Sequence, residues 1–109
     1  MKGEQMIARL WRGWTAARDT VAYTDYLQTT GIAAYRRTPG NRGAWILHRR
    51  DGDRTEFIAL TFWDSIDAIR GFAGDPVDQA VFYPDDDRFL IDREQHVHHF
   101  EVVDPAQQA

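Results

Sequence analysis

Cysteine is absent from the 109 residues. That single absence excludes disulfides, thiolate zinc sites, cysteine-held iron–sulfur clusters and cysteine nucleophiles. Long apolar runs are missing too: none approaches the roughly 20 residues that a membrane helix requires, so no membrane partner is expected. A basic excess is also lacking. Thirteen lysines and arginines face seventeen aspartates and glutamates, for a net charge of −4, whereas duplex nucleic acid is bound through a concentrated positive footprint. The densest basic cluster, Arg49, Arg50 and Arg54, is interleaved with Asp51, Asp53 and Glu56, which cancels most of its field. No nucleic-acid partner is expected. The start, MKGEQMIARLW, has neither an apolar stretch of about 7–15 residues nor a small-residue cleavage site, and the expected address is cytoplasmic. Ser-His-Asp order, phosphate loop and dinucleotide fingerprint are all missing.

What is present fits one domain over residues 1–109, with an ordered core from about 5 to 104. Residues 6–14, MIARLWRGW, alternate as a first strand. From Arg18 to Arg37 apolar residues recur every three or four positions, Ala22, Tyr23, Tyr26, Leu27, Ile32, Ala34 and Tyr35, which predicts a helix interrupted near Gly31. Thr38-Pro39-Gly40 stops it. GAWILHRR (43–50) and TEFIALTFW (55–63) flank Asp51-Gly52-Asp53 as the strands of a tight hairpin. Asp64 is placed to cap a second helix with Ile66, Ile69 and Ala73 facing inward, ended by Asp75-Pro76. A helical turn is predicted over Val77–Phe82 and another over PDDDRFLI, with Asp85, Asp86 and Asp87 as its solvated start. Residues 96–103 make the last strand and DPAQQA a frayed tail.

The order β-α-β-β-α-β predicts a ferredoxin-like α+β fold, four antiparallel strands with both helices on one face. Phe57, Ala59, Thr61 and Trp63 then point one way and Ile58, Leu60 and Phe62 the other. Two helices cover one face only, and a solvated face would alternate to polar residues. A second copy of the chain is the expected cover, sheet against sheet, giving a homodimer.

Five segments, IARLWRGWT, TPGNRGAWILHRR, EFIALTFWDSIDAIRGFAG, AVFYPDDDRFL and VHHFEVV, resemble in order and spacing the small stand-alone members of the antibiotic biosynthesis monooxygenase superfamily. The resemblance covers nearly the whole chain. It implies a dimeric α/β barrel and a cofactor-independent monooxygenase acting on a small aromatic or polyketide-like substrate, held in an apolar pocket between sheet and helices. A non-catalytic dimeric ligand-binding or stress-related protein of the same fold is the alternative. Haem degradation ranks third: that branch needs an asparagine in strand one, a tryptophan on helix two and a histidine after it. Here strand one has no asparagine, Phe72 stands at the tryptophan position, and no histidine occurs between Ser65 and Leu90. No cofactor is expected.

Among individual residues, His99 is the candidate general base, flanked by Val97 and Phe100. Trp63 is either a core plug or a ring that stacks on a flat ligand. Arg9, a charge among apolar neighbours, either holds a substrate oxyanion or meets a carboxylate such as Glu101 or Asp92. Tyr83 and Phe82 suit a lid, and Trp11 and Phe72 suit ligand contact. Trp11 and Trp14 fall on opposite faces of strand one. His96 and His98 share a face but lack a third ligand at motif spacing, so no metal is expected.

Overall fold

Branched and aromatic side chains favour the pleated sheet, and strands form where the sequence concentrates them. In the computed structural model, which describes residues 5–103, β1 (Ile7–Ala16), β2 (Asn41–Asp51) and β3 (Arg54–Trp63) form an antiparallel sheet in the order β2-β3-β1. The fourth place, on the free side of β1, is shared by two short strands. β4 (Leu90–Arg93) pairs with Gly13–Thr15 and β5 (His98–Glu101) with Ile7–Leu10. The α+β, ferredoxin-like order is therefore as expected, with its last strand broken. The tail DPAQQA lies outside the described residues.

The break has a local cause. Gly13 faces Arg93 while Leu10 faces His98, so Trp11 and Arg12 of β1 stand against Glu94, Gln95, His96 and Val97. Glu94 N still donates to Arg12 O (3.0 Å), but the surplus bulges out of the ladder and Gln95–Val97 bond elsewhere. Ala80 N donates to Gln95 O (3.0 Å) and Val97 N to Asp78 O (2.8 Å), with Gln79 bridging to His96. Two expectations are corrected here. Val77–Phe82 is not a helical turn but a turn followed by extended chain bonded to the bulge, and Leu90 and Ile91 begin β4 instead of continuing a helix.

On the inner face lie α1 (Thr20–Thr29), α2 (Gly31–Arg37), α3 (Ile66–Ala73) and the single turn α4 (Asp86–Phe89). A 3₁₀ turn, Ala17–Asp19, leads into α1. The interruption falls at Thr30, whose hydroxyl accepts no helical role but donates to Tyr26 O (2.8 Å), as the Thr29 hydroxyl also does (3.1 Å). Thr38, extended before Pro39, ends α2. The cap of α3 is Ser65, whose hydroxyl accepts from Ala68 N at 3.1 Å. Asp64, the expected cap, instead pairs with Arg42 at 2.7 Å. Gly52, at φ 65°, opens the hairpin loop between the facing residues Asp51 and Arg54.

Strand parity sorts the side chains. Phe57, Ala59, Thr61 and Trp63 face the helices, as do Arg9 and Trp11, and all are buried. Around Trp11, Tyr23, Leu27, Phe57 and Phe89 one core cluster forms. A second gathers Ile7, Trp63 and Ile69 against Tyr35 and Phe72. The outer face carries Leu10, Ile58, Leu60 and Phe62 and leaves Trp45, Leu47 and Phe100 largely exposed (54%, 44% and 53%). Trp14 is also on it, beneath the Arg54 guanidinium at 5.1 Å. The two tryptophans of β1 do face opposite ways.

Candidate active site

Between the sheet and α1–α2 lies a cavity of about 30 Å³, walled by Trp11, Tyr23, Tyr35, Phe82, Tyr83 and apolar residues such as Ala59 and Val97, with Arg9 and Asp86 as its charged members. That is room for about two water molecules. A second, open groove of about 250 Å³ runs along β2, lined by Thr24, Gln28, Arg36, Trp45 and His48. The smaller, less open cavity is the better candidate site despite its size, because apolar walls with a few convergent polar groups are what orient a small ligand.

Arg9 projects from the inner face of β1 and is 3% exposed. Its Nη1 donates to Val77 O (2.7 Å) and its Nη2 to Gln79 O (2.9 Å), both in the extended segment held by the bulge. Neither Glu101 nor Asp92 meets it among its bonds. The third partner is His99, whose Nε2 lies 3.1 Å from Nη1. A guanidinium only donates, so His99 accepts and is the neutral tautomer with its proton on Nδ1. Burial, then the Arg9 charge, lowers the His99 pKa below its ordinary value. Burial also lowers that of Arg9.

Trp11 donates its indole N–H to Glu94 O (2.8 Å), the first residue of the bulge, and meets Phe82 edge-on at 6.1 Å. The indole lies over Gly13, where a Cβ would collide with it. Phe82 and Tyr83 belong to no helix or strand and line the cavity. The Tyr83 backbone N–H donates to Asp86 Oδ2 (2.7 Å), and the Tyr23 hydroxyl donates to Asp86 Oδ1 (2.8 Å). Asp86 is 3% exposed, which corrects the solvated reading of that aspartate. Burial pushes Tyr23, Tyr83 and Tyr35 upward, Tyr35 to about 12. All three phenols are neutral donors at neutral pH.

Of the seven residues singled out from sequence, Arg9, Trp11, Phe82 and Tyr83 come together on the cavity. The other three do not reach its surface. Trp63 is fully buried, its Nε1 donating to Thr61 Oγ1 (2.8 Å), and Tyr35 stands edge-on to it at 6.3 Å on the cavity side. Phe72 packs on Tyr35 at 4.7 Å, and His99 stands behind Arg9. Sequence reasoning missed Tyr23, Tyr35 and Asp86 as site residues. The helical spacing that marked both tyrosines as inward was the signal available. Among the described residues there is no group of three His, Asp or Glu side chains placed to hold a metal ion, and no helix is long and apolar enough to cross a membrane.

No family model and no curated protein matches the chain. Solved structures do. A candidate antibiotic biosynthesis monooxygenase from Bacillus cereus is similar at TM-score 0.65 and 13% identity, over 92% of this chain and 97% of that one. Rv0793 from Mycobacterium tuberculosis is similar at TM-score 0.60 and 20% identity, over 93% and 98%. The architecture read from sequence is thus borne out: the chain has a ferredoxin-like α+β fold, and it shares that fold with the Bacillus cereus candidate antibiotic biosynthesis monooxygenase and with Rv0793.

Proposed function

We propose that the protein is a cofactor-independent monooxygenase whose substrate is a small aromatic or polyketide-like molecule bearing an acidic proton. The observation that carries this reading is the buried Arg9 guanidinium on an enclosed wall of tryptophan, tyrosine and phenylalanine. Such a group stabilises a phenolate or enolate where little water competes. The substrate methylene loses its acidic proton to solvent, the carbanion gives an electron to O₂, the radical pair combines at carbon, the peroxide anion takes a proton back, and loss of water with the second C–H proton leaves a carbonyl. Substrate supplies both electrons for the second oxygen atom, so no external reductant is needed. Trp11, Phe82 and Tyr83 orient the rings. Tyr35 and Phe72 back the site, and Trp63 acts from behind them as a wall.

His99 fits a positioning role better than that of base, because its one basic nitrogen already accepts from Arg9. A flat substrate needs at least about 300 Å³, ten times the closed cavity, so binding displaces the segment around Phe82 and Tyr83. The second reading is a non-catalytic dimeric ligand-binding protein of the same fold, which needs the same displacement to admit its ligand. Haem fits less well, with Phe72 packed among aromatics and no histidine between Ser65 and Leu90. The exposed Trp45, Leu47 and Phe100 support a homodimer through the outer sheet face.

Oxygen uptake with 1,8-dihydroxyanthrone, without added flavin, haem or metal, tests the enzyme reading. Catalysed uptake of one O₂ per anthrone, reduced about 100-fold in Arg9→Gln, is expected. Uptake no faster than the buffer control rejects it in favour of the binding protein.

A further inference from the structure

Asp86 is a buried carboxylate with no ion-pair partner among the described residues. A charge in that position is expensive unless other groups complete its hydrogen bonding. Its two oxygens offer about four lone-pair directions, and the structure fills two of them, with the Tyr23 hydroxyl and the Tyr83 backbone N–H. Asp86 lines the same cavity as Arg9, yet the two share no hydrogen-bond partner: Arg9 is held by Val77, Gln79 and His99. The cavity therefore has separate accepting and donating groups joined by an aromatic wall.

We propose that Asp86 selects for aromatic ligands that carry a hydrogen-bond donor, a phenolic hydroxyl or ring N–H, which it accepts on its unfilled lone pairs. Together with Arg9, which takes a carbonyl or oxyanion oxygen, it defines the ligand class as a hydroxylated or N–H-bearing aromatic ketone. This rests on reading the cavity as an aromatic-ligand site and adds a specificity determinant to it. Tyr23 is a positioning residue, fixing the carboxylate from α1. Rejection of ligands without the donor follows from the cost of covering the carboxylate with a methyl group.

Equilibrium dialysis with 2-naphthol and 2-methoxynaphthalene tests the proposal. The ether is the more apolar of the two, so a featureless greasy cavity prefers it. Wild-type protein is expected to bind 2-naphthol at least about tenfold more tightly than the ether. Asp86→Asn, which keeps one acceptor but loses the charge, should bring the two within about threefold, since charge-assisted hydrogen bonds are roughly twice as strong as neutral ones. Tyr23→Phe keeps the carboxylate but removes the hydroxyl that positions it, and should weaken the preference without abolishing it. Equal binding of both probes by the wild type, or an unchanged preference in folded Asp86→Asn, overturns the selective role while leaving the cavity reading intact. Binding of neither probe rejects the aromatic cavity itself, and this inference with it.

Discussion

Arg9 Nη1 lies 3.1 Å from His99 Nε2, joining β1 to β5 on the inner face. The imidazole is neutral there, and burial with the adjacent guanidinium keeps its pKa below the ordinary value. In the unfolded chain histidine titrates near 6.5. As pH falls through that value the unfolded chain takes up the proton first, and stability declines until pH passes the lower folded value. Thermal melts at about pH 7.5 and about pH 5.5 should show a lower Tm at the acid end. His99→Gln, which can still accept from Arg9, should narrow the gap. An unchanged gap would place the acid sensitivity elsewhere.

Asp64 is the cap that the sequence predicts for α3. The structure gives the bond to Ser65, and Asp64 is a half-exposed partner of Arg42. Urea denaturation of Ser65→Ala should show a loss of about 1 kcal/mol. Asp64→Ala should cost less, about 0–1 kcal/mol, as exposed ion pairs do. The reverse ranking would restore Asp64 as the cap.

Gly13 is the floor on which the Trp11 indole rests. Gly13→Ala would thrust a methyl group into that ring and press on Leu90 across the strand pair. The expected cost is about 1–3 kcal/mol in chemical denaturation, with a changed tryptophan emission maximum. A variant as stable as the wild type would show that the indole has another resting place.

Leu47 and Trp45 lie on the exposed apolar face of β2. Native mass spectrometry should give twice the 12.6 kDa chain mass, and Leu47→Glu should return the single chain by placing a charge where the second sheet packs. A monomeric wild type would refute the two-sided sheet argument.

The three long strands were legible in sequence because aromatic and branched residues are concentrated in them on both faces, and the hairpin because Gly52 admits a positive φ. β4 was not, since Leu90 and Ile91 follow an acidic helix start and read as its continuation. Nothing local announces that Gln95–Val97 leaves the ladder; the bulge exists because Asp78 and Ala80 offer it backbone partners. The site was half legible for a similar reason. Parity placed Arg9 and Trp11 on one face, but which of three successive aspartates turns inward depends on Tyr23, 63 positions away. For His99 the residue type suggested a base, and only its neighbour Arg9 assigns its lone pair.

On the proposed reading, an aromatic ligand binds in the cavity lined by Phe82 and Tyr83. Backbone and indole NMR shifts on titration with 2-naphthol test it most directly. One site per chain is expected, with the largest changes at the Trp11 indole N–H and the amides of Ala80, Phe82 and Tyr83. Shifts centred on Arg36, Trp45 and His48 in the open groove along β2, or no saturable shifts at all, would contradict it.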